Sequence, residues 1–282
     1  MRVGLGLPTA VPDADQADIA SIAALAESAG FDSLGVVDRL AYHTIDPLVA
    51  LASAAAATTR IELTTSVLLA PLRQPRLLAK EVAALKHVSG GRFILGLGVG
   101  NRREDYAAAD RPFARRGALL DETIRVLTGR ASGEAPTTWS APTIAIDRLR
   151  LGGGTDAALE RVARLGCAWM YGGPDAAGFD EASGLLTRHW RDHGRRDLPV
   201  RSALAFVSLG DDAEAAADRH IGTYYEYAPF RQHLRDQVAT TADAVRTKVD
   251  QYRDLGCTEL ILFPCTSNPV EVERLATALG LA

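Results

Sequence analysis

Hydrophobic positions along this chain alternate between short continuous apolar runs and stretches with helical spacing, from one end to the other. VGLGLP (3–8) reads as a strand. Residues 15–29 place Ile19, Ile22, Ala23 and Ala26 on one helical face, and Gly30 stops the pattern. SLGVV (33–37) is a second strand, and residues 46–59 form a helix with Asp46 as N-cap and Pro47 at its first position. IELTTSVLLA (61–70) gives a third strand and residues 75–88 a helix ended by Ser89-Gly90-Gly91. FILGLGVG (93–100) is a fourth strand and residues 115–129 the next helix. Residues 130–145, rich in Ala, Pro, Thr and Ser, read as a long loop. The alternation resumes with a strand over 147–154, a helix over 156–165, a strand over 167–173 and a helix over 178–193. A strand over 200–209, helices over 212–222 and 241–256, a last strand over 259–264 and a last helix over 268–279 complete it.

About eight strand–helix pairs in a chain of this length predict an α/β fold of the (β/α)8 TIM-barrel type. The strands are apolar on both faces, as parallel strands covered by helices are. No linker or compositional break divides residues 1–282, so one barrel domain is expected. A doubly wound sheet would need fewer strands or a second domain.

Composition narrows the function classes. Lys and Arg number 31 against 35 Asp and Glu, a net charge of −4, which argues against a nucleic-acid surface. Cys167, Cys257 and Cys265 lack metal-ligand spacing, and so few cysteines fit a reducing compartment. No apolar run reaches the ~18 residues of a membrane span. The first residues carry no basic and apolar leader pattern. A cytoplasmic protein without nucleic-acid or membrane partners is therefore expected. Histidines 189 and 193 are one helical turn apart but lack a third ligand, so they read as a polar helix face and no metal site is expected.

Two glycine patterns carry the chemistry. Gly96, Gly98 and Gly100 share one face of the fourth strand, which ends in the charged run NRRED. Either a flat ring occupies the space left by the missing side chains, or the glycines permit close packing or a bulge. The spacing G-x-G-x-G differs from the dinucleotide G-x-G-x-x-G pattern. GGGT (152–155) opens a helix, where backbone N–H groups attract phosphate; the bland reading is a turn with Thr155 as N-cap.

QPRLLAKEVAALKHVSGGRFILGLGVGNRREDYAA followed by FARRGALLDETIRVL resembles the bacterial luciferase-like family of flavin- and deazaflavin-dependent oxidoreductases. AESAGFDSLGVVD, LTTSVLLAPLR and LGGGTDAALERVARLGCAWM extend the resemblance over most of residues 1–171, and 241–280 fit the usual last elements. Residues 174–240 match poorly and are expected to hold a divergent insertion.

The resemblance implies coenzyme F420, or alternatively FMN, at the strand ends, and a homodimer. It implies a non-proline cis peptide at Ser66–Val67 behind the cofactor ring, phosphate at Gly152, Gly153, Gly154 and Thr155, and Asp38 near the ring. Gly98, Gly100 and Asn101 complete the expected cofactor-binding set, with Asp38 and His43 as candidate catalytic residues. Two positions depart from the family pattern. Arg39 stands where a His is common, and Asn101 where some F420 enzymes carry an acid, so a sugar-phosphate dehydrogenase is not expected. Arg102 or Arg103 pairs with a cofactor phosphate or acidic tail, or else with Glu104 and Asp105 at the surface. The aromatic-rich YYEYAPF (224–230) walls a substrate pocket or a dimer contact. The expected activity is hydride transfer between F420 and a small organic substrate. The alternatives are an FMN-dependent monooxygenase, with a separate reductase supplying reduced cofactor, or a non-catalytic cofactor-binding protein.

Overall fold

A computed structural model of the chain describes residues 1–130, 143–226 and 228–281. Most of the expected 130–145 loop, residues 131–142, lies outside the described residues, as does Tyr227. The strands are β1 (Arg2–Gly6), β2 (Ser33–Val36), β3 (Glu62–Thr65), β4 (Leu68–Leu69), β5 (Phe93–Gly98), β6 (Leu149–Gly152), β7 (Ala168–Tyr171), β8 (Arg201–Val207) and β9 (Glu259–Pro264). They run parallel in the order β3-β2-β1-β9-β8-β7-β6-β5-β4, and β3 also pairs with β5. The sheet therefore closes on itself as the expected (β/α)8 barrel, with β3 and β4 as two halves of one barrel strand.

The break between those halves is a register change. Leu63 pairs with Phe93 and Leu68 with Leu97, so 63–68 spans one residue more than 93–97. One surplus residue opposite a regular strand is a bulge. It falls at the expected position, where the Ser66–Val67 peptide is cis.

Helices α1 (Ile19–Ser28), α2 (Pro47–Ala57), α3 (Pro75–Val88), α4 (Arg103–Ala108), α5 (Arg116–Leu127) and α6 (Asp156–Leu165) are followed by α7 (Ala176–Asp192), α8 (Ala213–Tyr224), α9 (Arg231–Asp236), α10 (Ala242–Asp254) and α11 (Val270–Leu279). Asp46 caps α2 as expected, accepting from the Leu48 and Val49 N–H groups at 2.9 and 3.2 Å. The first helix begins at Ile19 rather than 15 because the Asp18 side chain accepts the Ser21 N–H and ends the preceding turn. Helices α4 and α9 were not expected; six residues give too few apolar repeats to show a period. Residues 174–240 hold α7, β8, α8 and α9, so this poorly matching stretch carries a regular part of the alternation.

Leucines 5, 34, 63, 95 and 97 belong to the large core between barrel and helices. The barrel interior is built unevenly. A Cβ on Gly6 would lie 2.2 Å from the Phe263 ring, and one on Gly35 would lie 2.9 Å from Ile261. Glycine on β1 and β2 thus makes room for the large side chains of β9. At the amino ends of the strands the interior is charged. Arg150 bonds Glu259, and both are buried. Arg2 reaches Glu259 at 3.5 Å and also pairs with Glu62, which Arg148 meets at 3.4 Å.

Candidate active site

At the carboxyl ends of the strands the barrel opens into a cavity of about 430 Å³. This is the end at which barrel enzymes carry their chemistry. All ten expected cofactor-binding residues line it: Asp38, Ser66, Val67, Gly98, Gly100, Asn101, Gly152, Gly153, Gly154 and Thr155. His43, the second candidate catalytic residue, does not. It is exposed in the loop between β2 and α2 and is absent from the lining, because that loop turns outward after Arg39.

The floor resolves the two readings of the glycine-rich strand. A Cβ on Gly96 would stand 1.9 Å from the Thr65 carbonyl oxygen, and one on Gly98 2.4 Å from a Val67 methyl. Gly152, on the other side, would meet both Val67 methyls at 2.9 and 3.0 Å. The missing side chains therefore admit the bulged strand, and Val67 fills the gap between β5 and β6. Thr65 locks the bulge in place: its hydroxyl donates to the Gly96 carbonyl at 2.6 Å and accepts the Gly96 N–H at 2.9 Å. What remains for a ligand is the apolar step made by Val67, with the glycine edges beside it. The buried Ser66 hydroxyl has no hydrogen-bond partner among the described residues.

Asp38 lies two residues past the end of β2 and turns one carboxylate oxygen to the Leu69 N–H at 2.9 Å, with Arg73 at 3.5 Å. Burial raises its pKa despite Arg73 and that N–H. Asp38 is thus anchored to the bulged strand rather than free to act at a distance. Its neighbour Arg39 is buried, where the resemblance led to expect His. It donates to the Tyr224 carbonyl at 3.2 Å and pairs with Glu104 and Asp105, each at 3.4 Å. Asp105 also accepts the Leu40 and Ala41 N–H groups at 3.0 and 2.7 Å. The acids of the NRRED run therefore serve Arg39, not the adjacent arginines. Arg102 lines the cavity, whereas Arg103 lies over the Phe113 ring at 4.6 Å and does not line it.

On the opposite wall, Gly152 to Thr155 lead into α6. Thr155 is its N-cap residue, with no side-chain capping bond, and its carbonyl accepts the Ala158 and Leu159 N–H groups. Gly153 takes φ +133°, open to glycine but strained for other residues. Trp169 fixes the turn by donating from its indole N–H to the Gly153 carbonyl at 2.7 Å. Arg116, at the start of α5, lines both this cavity and an adjoining recess of about 270 Å³ beside the α6 N-terminus. Nothing in the residue pattern marks Arg116, because a helix-start arginine looks like any solvated charge.

The aromatic run closes the third side. Tyr224, Tyr225 and Phe230 line the cavity with Met170 and Leu204 from β7 and β8. Tyr225 is pushed up to about 12 by burial, so its hydroxyl stays protonated at neutral pH. His220 stacks on Tyr224 with ring centroids 5.6 Å apart and is pushed down to about 4 by burial, so it is neutral. His189 and His193 face Asp156 and Glu160 of α6 at 2.9 and 3.4 Å.

Residues 1–256 match the family model described as luciferase-like monooxygenase. An uncharacterized protein of Mycobacterium tuberculosis is 34% identical over 201 residues, covering 59% of this chain and 68% of its own length. The chain superposes on monooxygenase RslO1 of Streptomyces bottropensis with a TM-score of 0.79 and 21% identity, over 100% of this chain and 97% of that one. It superposes on an F420-dependent secondary alcohol dehydrogenase, solved with an F420–acetone adduct, with a TM-score of 0.78 and 16% identity, over 99% and 98%. An FMN complex of the oxygenating constituent of 3,6-diketocamphane monooxygenase from Pseudomonas putida gives a TM-score of 0.71 and 14% identity, over 100% and 96%. Among the described residues, no helix is long and apolar enough to cross a membrane.

Proposed function

The chain belongs to the luciferase-like monooxygenase family of oxidoreductases, whose members use F420 or FMN, and from that premise we propose that it is an F420-dependent enzyme exchanging hydride with a small organic substrate. The observation that carries this reading is the cavity floor: an apolar step at Val67, raised between Gly98 and Gly152 at the strand ends. Such a step fits the face of a flat tricyclic ring. The unpartnered Ser66 hydroxyl beside it fits the polar edge of that ring.

The remaining donors fit a phosphate-bearing side chain. The Gly152–Thr155 turn opens α6, so backbone N–H groups and the helix dipole favour an anion there. Arg116 adds a cation on the same wall. Asp38 orients the ring edge from its anchored position. When bound, the deazaflavin would accept or donate the hydride. The protein's own part is to bind, to align and to exclude water, with Tyr225 and Phe230 covering the reacting face. Val49 and Leu77, 65% and 56% exposed on α2 and α3, supply an apolar surface for pairing two chains.

Separate titrations with F420 and FMN test the cofactor. F420 is expected to bind and FMN to bind far more weakly. Tight FMN binding without F420 affinity would replace this reading by an FMN-dependent monooxygenase served by a separate reductase. A loaded protein that transfers no hydride across a broad panel of substrates would point to a cofactor carrier.

A further inference from the structure

We propose that the substrate is an organic acid, with an apolar planar body under Tyr225 and Phe230, on the side of the ring away from the Val67 step, and its carboxylate held by Arg102. This rests on the cofactor-dependent reading of the same cavity and names the class of molecule that shares it. Arg102 lines the cavity as the residue before α4. One of its terminal nitrogens donates to the Tyr224 carbonyl, and its guanidinium carbon lies 4.7 Å from the Tyr224 ring centroid and 4.9 Å from that of Tyr225. A neutral carbonyl and two π faces position a guanidinium without neutralising it. They occupy its faces and one donor, and leave the rest of its planar donor fork for a bidentate anion.

The protein's own acids do not fill that role. The two carboxylates lining the cavity are engaged elsewhere. Asp105 accepts two backbone N–H groups and pairs with Arg39, and Asp38 accepts the Leu69 N–H beside Arg73. Glu104 pairs with Arg39. Among the described residues no carboxylate lies within ion-pair distance of Arg102, although the whole chain carries a net charge of −4. The cofactor's phosphate has a separate place in the reading above, on the wall with Arg116 and the start of α6. Tyr225, whose ring Arg102 faces, packs with Met170, Leu204 and Val67 in one apolar cluster, and Phe230 meets Tyr225 at 5.9 Å between ring centroids. A cation at one edge of an apolar slot selects an anion with a hydrophobic body, and an amide or alcohol of the same shape would leave the guanidinium unmatched.

Benzoate and benzamide, equal in shape and different in charge, are the probes, and ligand-observed NMR titration of the full chain gives both affinities. Benzoate is expected to bind the wild type at least about tenfold more tightly. That preference should collapse in Arg102→Gln, shrink in Arg102→Lys, which keeps the charge and loses the fork, and persist in Arg116→Gln. Equal affinities for the wild type, a preference that survives Arg102→Gln, or one lost only in Arg116→Gln would overturn the proposal. Should the Arg102 variants fail to fold, contacts in the wild type decide: nuclear Overhauser effects from benzoate to Tyr225 support it, and effects to the Gly152–Thr155 turn overturn it. F420 and FMN titrations in parallel separate the two failures. Cofactor binding without benzoate preference sinks this inference alone, and benzoate preference without cofactor binding sinks the cofactor reading alone.

Discussion

The two ends of strand β9 carry buried carboxylates with opposite fates. At the closed end, Glu259 lies between Arg150 and Arg2, inside a ladder that continues through Glu62 to Arg148. At the open end, Glu271 follows β9 in α11 and accepts only the Leu209 N–H, at 2.6 Å. Its second oxygen has no hydrogen bond among the described residues, and Arg274 is 3.8 Å away. Burial pushes Glu271 up to about 7. At the barrel's lower mouth Glu259 and Glu62 thus each face two arginines, while at the upper mouth Glu271 faces one at 3.8 Å, the Ser66 hydroxyl has no hydrogen bond among the described residues and Arg102 no carboxylate. Matched charge holds a fold together, and unmatched polar groups are what a ligand can satisfy.

Breaking the closed end should have the largest effect. Glu259→Ala leaves Arg150 buried without its partner and is expected to cost about 3–5 kcal/mol in urea unfolding. The double variant Arg150→Met/Glu259→Leu should recover most of that, because apolar groups of similar volume need no partner. A single variant costing under about 1 kcal/mol would mean that charge does not seal this mouth.

The open end gives a pH-dependent contrast. The folded-state pKa of Glu271 is raised from 4.5 to about 7, so the fold favours the protonated form. That contribution is complete below pH 4.5 and is lost as pH rises through 7. Between pH 4.5 and 8 the wild type should therefore lose up to about 3 kcal/mol of stability that Glu271→Gln does not lose. The amide can still accept the Leu209 N–H. Parallel slopes for the two proteins in unfolding measured across this range would remove Glu271 from the comparison.

A smaller effect is expected at the floor. Gly98→Ala drives a methyl group against Val67 and should cost about 1–2 kcal/mol while weakening cofactor binding. Val67→Ala in the same chain should restore stability by removing the clash, but not full binding, since the step itself is lost. Restored binding would show that the ring does not rest on Val67.

Much of this was legible in the chain. Asp46-Pro47 announced α2 through cap chemistry that is local by nature, and the run Gly152 to Thr155 announced a turn opening a helix. The alternation of apolar runs gave the barrel, and the family resemblance directed attention to Ser66–Val67. The glycines of β5 were legible as missing bulk but not as to what fills it, because Val67 reaches them from a strand some 30 positions earlier. Arg39 was visible only as a lost histidine. Its partners Glu104, Asp105 and Tyr224 lie 65 to 185 positions away.

The sequence by itself determined the order of the strands and of the longer helices, since periodicity and capping act within a few residues, and the count of strand–helix pairs pointed to the closed parallel sheet; the short α4 and α9 escaped it. It also determined which strand ends carry glycine, and hence where the backbone stays open. Tertiary structure alone decided which charges are matched and which are left over, because ion pairing depends on distances across the barrel that no local pattern encodes. His43 turned out to solvent and Arg116 turned to the cavity for that same reason: both are polar residues near helix starts, and only the path of the surrounding loops assigns them a direction.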